Sequence, residues 1–151
     1  MTSARYGTAQ TILLIVFTAI YFFGPGPPLF PASGIVGWLG ALLCIVRLVL
    51  MLVSVAALRE VIQVAPEPRE DGHLVTNGPY RRFRHPIYTA IVVLVVGLFL
   101  RRATIAVGAM AAIVIAYLVV KTRHEENLLL ERYVGYEDYR KRTWGLIPGL
   151  R

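Results

Sequence analysis

Long apolar segments separated by short polar ones dominate this chain of 151 residues. No charged residue occurs between Tyr6 and Cys44, and only Arg101 and Arg102 interrupt the stretch from Ile87 to Val120. A helix rises about 1.5 Å per residue and the hydrocarbon core of a bilayer is about 30 Å thick, so segments of this kind suit a membrane crossing. The pattern predicts four transmembrane helices, at about residues 8–23, 34–58, 86–100 and 103–120.

The third and fourth predicted spans are separated only by Arg101 and Arg102. We therefore predict a tight helical hairpin that turns at these two arginines. The third span makes a short crossing, because its roughly 15 residues rise only about 1.5 Å each. Together the spans predict an all-α integral membrane protein in which residues 1–151 form a single membrane domain.

Composition agrees with this class, since 56% of the residues are hydrophobic and 17% are charged. Of the 16 Lys and Arg residues, all except Arg47, Arg101 and Arg102 lie on one side of the predicted spans, as do all nine acids. Cytoplasmic segments of membrane proteins carry an excess of Lys and Arg. We therefore expect the N-terminus, residues 59–85 and the tail after Val120 to be cytoplasmic, in a plasma membrane of the bacterial or archaeal type.

The formal net charge of +7 does not indicate a nucleic-acid-binding protein. The basic residues flank apolar segments and lie beside acids, whereas nucleic-acid binding favours one long basic stripe. Membrane lipids with anionic headgroups are the partners that this arrangement favours. Cys44 is the only cysteine, which excludes an intrachain disulfide and a cysteine cluster for a metal. We predict no metal site.

Small residues recur at helical spacing in two of the predicted spans, which indicates close helix packing. These residues are Gly34, Gly37 and Gly40 in the second span and Gly108, Ala112 and Ala116 in the fourth. Arg47 lies near the middle of the second span, where a guanidinium is costly. We expect Arg47 to face the bundle interior or a polar cavity, in a functional or a structural role.

Two polar clusters adjoin the last two spans, one at residues 78–88 and one at residues 123–126. Proline is favoured at the first helical position, so His85-Pro86 predicts the start of the third span. Antiparallel pairing of the last two spans would bring the clusters together at one membrane surface. Taken singly, the histidine is also typical of a helix cap, the tyrosines of an aromatic belt and the arginines of lipid anchors. Glu125-Glu126 alone is typical of a solvated helix face.

Several motifs in the C-terminal half resemble the isoprenylcysteine carboxyl methyltransferase family and related phospholipid methyltransferases. The resemblance covers about residues 72–149. It is carried by Leu74-Val75-Thr76-Asn77-Gly78-Pro79-Tyr80, Arg84-His85-Pro86-Ile87-Tyr88, Arg123-His124-Glu125-Glu126, Tyr136, Tyr139 and Leu146-Ile147-Pro148.

This resemblance implies a cofactor, S-adenosyl-L-methionine, bound at the cytoplasmic membrane surface by residues of about 72–88 and 121–149. Its cofactor-binding residues would be Gly72, His73, Leu74, Val75, Tyr80, His85, Pro86, Tyr88 and Glu126. Its catalytic residues would be His85, Arg123 and Glu125, with Arg123 near the position that reaches a substrate carboxylate. Either glutamate would bond a cofactor hydroxyl or amine. Independently of the resemblance, the tyrosines and basic residues of the C-terminal tail form an interfacial amphipathic pattern, which favours a lid and membrane anchor over a solvated tail.

The implied function is methyl transfer to a lipophilic or prenylated substrate, with a carboxylate as the expected acceptor. Neither the acceptor nor the oligomeric state follows from the residues. Two other functions also fit the pattern. One is an NADPH-dependent membrane reductase of the sterol-reductase type, and the other is a non-enzymatic lipid-binding subunit whose basic loops hold headgroups.

Overall fold

The computed structural model describes residues 3–31, 33–58, 74–147 and 149. The helices are α1 (Ser3–Phe23), α2 (Gly34–Leu58), α3 (Pro86–Arg102), α4 (Ile105–Arg132), α5 (Tyr136–Arg142) and a short 3-10 helix (Gly78–Arg81). These described ranges contain no β-strand, only one isolated bridge between Phe83 and Trp144. The predicted all-α fold is therefore confirmed.

Three of the described helices, α1, α2 and α4, are long and apolar enough to cross a membrane. Large apolar side chains on α1 and α2 are exposed, including Ile15 (64%) and Trp38 (78%), as expected for surfaces that contact lipid. Helix α3 is not among the three, because its 17 residues span only about 25 Å. A fourth crossing at α3 stays a prediction.

The observed turn between α3 and α4 lies after the predicted one. Arg101 and Arg102 form the last turn of α3, where cations favour the negative end of the helix dipole. The chain reverses instead at Ala103, which has a left-handed φ of 53°, and at Thr104. Helix α4 continues past Val120 to Arg132, because the polar residues there are mostly good helix formers.

The helices pack in pairs, with α1 against α4, α2 against α3, and α3 against α4. The core includes Phe17, Val95, Val107 and Leu118, each at most 2% exposed. Helices α2 and α3 approach most closely at two glycines. A Cβ on Gly40 would lie 2.7 Å from the carbonyl oxygen of Gly97. Tight packing at Gly40 is thus confirmed.

The second row of small residues packs only in part. A Cβ on Gly108 would lie 2.9 Å from the ring of Phe99 on α3. Ala112 and Ala116 are exposed, since the face of α4 toward α3 is formed by larger residues such as Met110 and Val114. Packing at Ala112 and Ala116 therefore stays a prediction.

Arg102 and Arg47 have different surroundings. The Arg102 guanidinium donates to the carbonyl oxygens of Tyr21 and Gly24, and it thereby joins α3 to the end of α1. Arg47 is partly buried, and its Nε is buried without a hydrogen-bond partner in the described part of the chain. The Nε atom of Arg47 thus lies in the protein interior, as expected. The role of the Arg47 side chain stays open.

The start of α4 offers a test of local stability. Thr104 is 2% exposed, and its hydroxyl oxygen accepts a hydrogen bond from the Val107 amide at 3.3 Å. Thr104→Ala should lower the free energy of unfolding by about 1 kcal/mol, the usual cost of a lost N-cap. Thr104→Ser keeps the oxygen and should lose less. Thermal unfolding in detergent, followed by circular dichroism, compares the two; equal losses would contradict the capping role.

Candidate functional site at one end of the bundle

The C-terminal segment holds the residues that precede α3 in place. The Arg84 amide donates to the Trp144 carbonyl at 2.9 Å, and the Trp144 amide donates to the Arg82 carbonyl at 2.8 Å. The rings of Phe83 and Trp144 meet edge to face, with centroids 5.5 Å apart. This pairing fixes the backbone just before His85, the N-cap residue of α3.

Glu126 of α4 is largely buried and lies among the side chains of Arg84, His85 and Arg140. Its Oε1 accepts a hydrogen bond from Arg84 Nε at 2.7 Å and lies 3.3 Å from His85 Nε2, while its Oε2 lies 3.4 Å from Arg140 Nε. Arg84 Nη1 also donates to the carbonyl oxygens of Arg140 and Thr143, at 2.8 and 2.7 Å. The network therefore links α3, α4 and α5 through one carboxylate.

Glu125 occupies a second, more open group. Its carboxylate accepts a hydrogen bond from Tyr88 Oη at 2.9 Å and lies 3.7 Å from Lys121 Nζ. Lys121 Nζ donates to Gln10 Oε1 of α1 at 2.8 Å and lies 4.7 Å from the centroid of the Tyr88 ring. His85 Nδ1 is 3.8 Å from Glu125 Oε2. The Glu125 side chain is 29% exposed, so it is accessible to a ligand.

His85 connects the two groups. Its ring stacks on Tyr88 with centroids 5.6 Å apart and planes 11° from parallel. Nε2 is buried, and although it lies 3.3 Å from Glu126 it has no hydrogen bond of acceptable geometry within the described residues. A buried polar atom without a partner is costly. The Nε2 atom is therefore the clearest unsatisfied group in the cluster.

A cavity of about 570 Å³ lies between the segment before α3 and the α5 region. It is lined by Leu74, Thr76, Arg81, Val134, Gly135, Tyr139, Arg142 and Thr143. Beside it, Tyr139 Oη donates to the Tyr80 carbonyl at 2.6 Å. Burial raises the pKa of Tyr80 and of Tyr139 to about 12, so both remain neutral phenols at physiological pH. The volume is within the range of about 300–1,000 Å³ usual for small-ligand sites.

The structure brings together many of the residues predicted for the site. His85, Tyr88, Glu125 and Glu126 form the cluster itself. Pro86 is buried as the first residue of α3. The remaining predicted residues lie as follows: Leu74 lines the cavity, Val75 and Tyr80 are partly buried nearby in sequence, and Gly72 and His73 fall outside the described residues.

Arg123 is the exception among the predicted site residues. It is exposed, and within the described residues it has no ion pair with Glu125 or any other carboxylate. At 3.6 residues per turn, the face of α4 that carries Lys121, Thr122 and Glu126 turns away from position 123. A catalytic role for Arg123 stays a prediction that no contact supports.

Four residues in the groups around Glu125 and Glu126 were absent from the predicted site, namely Gln10, Arg84, Lys121 and Arg140. Lys121 precedes Glu125 by four residues, a spacing that places both on one helix face, so the sequence contained a signal for it. Arg84 adjoins His85 within the recognised motif, but its bond to Glu126 depends on tertiary packing. Gln10 could not be found, because nothing in the apolar pattern of α1 indicates that it docks against α4.

Fold and site together define a helical integral membrane protein with a polar cluster at one end of an apolar bundle. A family model described as phospholipid methyltransferase matches residues 35–135, which is more than half of the chain. The chain belongs to this family. The resemblance inferred from the motifs is thereby confirmed.

Two individual proteins are similar to this chain. Protein-S-isoprenylcysteine O-methyltransferase from Dictyostelium discoideum is 29% identical over 98% of this chain and 62% of its own length. The nickel-cobalt-cadmium resistance protein NccN from Alcaligenes xylosoxydans xylosoxydans is 35% identical over 54% of this chain and 39% of its own length.

A solved structure of a eukaryotic intramembrane Ras methyltransferase, isoprenylcysteine carboxyl methyltransferase, matches 99% of this chain with a TM-score of 0.62 and 25% identity. The match covers 54% of that chain. This chain thus spans 39–62% of the lengths of the three proteins compared.

Proposed function

We propose that this protein is an S-adenosylmethionine-dependent methyltransferase that acts at the membrane surface on a lipophilic substrate. The observation that carries the proposal is the cluster of His85, Tyr88, Glu125 and Glu126 at one end of an apolar bundle. Methyltransferases among the similar proteins support the same activity. A carboxylate on a prenylated substrate is the acceptor that we propose.

The residues present fit this cofactor. Its cationic end would meet Glu125, which is partly exposed and lies beside the His85 ring. Its adenosine part would occupy the cavity beside Leu74 and Tyr139. Lys121 and His85 already contact the Tyr88 ring, so we assign the cationic end to the Glu125 carboxylate and not to that ring.

When bound, S-adenosylmethionine supplies an electrophilic methyl carbon on a sulfonium that leaves as a neutral thioether. A carboxylate acceptor forms the new C–O bond as the C–S bond breaks, and it loses no proton, so the chain need supply no general base. The residues of the cluster would act by positioning the reactants and excluding water. An amine acceptor would also require a base, for which the Glu125 carboxylate is the exposed candidate.

Calorimetry on the full chain in detergent tests the proposal directly. The intact protein should bind S-adenosylmethionine or its demethylated product. His85→Ala and Glu125→Gln should each weaken that binding at least tenfold, a loss of about 1.4 kcal/mol, because each removes a polar partner of the ligand. Matched controls are His124→Ala and Glu131→Gln, which change residues outside the cluster.

The binding measurement separates the proposed function from the alternatives. No binding of either ligand by the intact protein, or stronger binding of NADPH in competition, would contradict the proposal. Methyl transfer from labelled cofactor then compares a prenylated cysteine that has a free carboxylate with phosphatidylethanolamine. Transfer to the carboxylate is the expected result, and transfer only to the amine would reject the acceptor that we propose.

A further inference from the structure

An apolar groove lies between α2 and the segment that precedes α3. It encloses about 580 Å³ and is lined by Ile45, Val46, Val49, Leu50, Val53, Gly78, Pro79, Arg81, Arg82 and Phe83. We call this the α2 groove. It shares no residue with the cluster of His85, Tyr88, Glu125 and Glu126, which lies where α3 meets α4. The α2 groove is therefore distinct from the cluster, and it adjoins the cavity of about 570 Å³, because Arg81 lines both.

The long wall of the groove belongs to the lipid-facing surface of α2. Ile45, Val46, Val49 and Val53 are 46–59% exposed, on a helix that is long and apolar enough to span a membrane. Within the described chain, only the segment that precedes α3 borders the groove on its other side. In a bilayer, they would be covered by hydrocarbon.

The other wall of the groove ends in two cations. Arg81 and Arg82 are exposed, and neither has a carboxylate partner among the described residues. Arg84, two residues later, differs completely, because its guanidinium is buried and bonded to Glu126 and to two carbonyl oxygens. As far as the described residues go, the two exposed arginines are open to an external anion.

Arg81 and Arg82 lie beside the end of α2, where a helix that spans a membrane reaches the membrane surface. The 3-10 helix Gly78–Arg81 lies against the end of α2, since a Cβ on Gly78 would be 3.4 Å from that of Ala57. From there the apolar wall runs back along α2 to Ile45. One ligand chemistry satisfies both parts: a long apolar chain joined to an anionic head.

We propose that the α2 groove binds one membrane phospholipid with an anionic headgroup. An acyl chain lies along Ile45 to Val53, and the phosphate contacts Arg81 and Arg82. The opposite side of the same segment pairs with Trp144 and leads directly into Arg84 and His85. The lipid therefore stabilises the segment that leads into the candidate site. Lipid binding requires neither a methyl donor nor a methyl acceptor.

Native mass spectrometry of the full chain in detergent, titrated with lipid, tests this site. Phosphatidylglycerol should bind more tightly than phosphatidylcholine. Arg81→Gln with Arg82→Gln should remove that preference, with an affinity loss of about 5-fold per arginine, the usual effect of one basic residue near an anionic surface. Arg123→Gln, which changes an exposed cation of α4 outside the groove, is the matched control and should leave the preference unchanged.

A second pair of variants tests the acyl-chain wall without changing charge. Val49→Trp should fill the groove and weaken phosphatidylglycerol binding, while Leu48→Trp, an exposed neighbour outside the groove, should not. Equal binding of the two lipids by the intact protein would overturn the proposal. So would displacement of the lipid by inorganic phosphate at equal concentration, or identical binding by both tryptophan variants.

Discussion

Arg84→Ala should lower the free energy of unfolding by about 3–5 kcal/mol, the usual cost of removing one partner of a buried ion pair. The Arg84 side chain is 4% exposed and that of Glu126 is 10% exposed. The substitution leaves the Glu126 carboxylate buried with weaker partners and frees the carbonyls of Arg140 and Thr143. Helix α5 should therefore detach before the membrane helices unfold.

Thermal unfolding of the purified protein in detergent measures this effect, with Arg123→Ala as the control for an exposed arginine of α4. The paired change Arg84→Met with Glu126→Leu should recover part of the loss, because apolar replacement of both partners of a buried pair is often neutral. Recovery should be incomplete, since His85 and Arg140 then lack the carboxylate. An Arg84→Ala melting curve equal to that of Arg123→Ala would contradict the buried pair.

Gly40→Ala should separate α2 from α3 and destabilise the protein by about 1–3 kcal/mol, the typical cost of overpacking a tight interface. The new Cβ would lie 2.7 Å from the carbonyl oxygen of Gly97, a backbone atom that cannot move aside by rotating a side chain. The helices must shift instead, and α3 begins directly after His85. Cofactor affinity should fall together with stability.

Gly7→Ala is the matched control for this change. Gly7 lies inside α1, and a Cβ there would meet nothing within 4 Å. Alanine is favoured over glycine in a helix by about 1 kcal/mol, so Gly7→Ala should be neutral or stabilising. Unfolding midpoints in detergent compare the two variants. If both shifted stability in the same direction, the close approach of α2 and α3 would not be the cause.

Hydropathy was sufficient to predict the apolar helices, because a bilayer selects for long uncharged segments. The range predicted for the second span, 34–58, matches the described residues of α2. The predicted turn between α3 and α4 lies too early in the chain, because the prediction treats two charged residues as the end of a helix. Arg102 stays helical since its guanidinium finds carbonyl oxygens at the end of α1.

The sequence predicts a residue of the candidate site only where the spacing of nearby residues along a helix, or a helix start, places that residue. His85-Pro86 marks a helix start, and the hairpin then brings His85 to Glu125 and Glu126. The helix period alone would have turned Arg123 away from this face. Contacts from Gln10 and from the carbonyl of Thr143 depend on how distant elements dock, which no local pattern encodes.

The bonds from Arg84 to the C-terminal segment have a consequence for biosynthesis. Arg84 lies 59 residues before Thr143, whose carbonyl it needs as a partner. Helices α3 and α4 are synthesised before this segment. Until the segment docks, Arg84 and Glu126 have an incomplete set of partners. The candidate site is therefore completed only by residues that are synthesised after both of its helices.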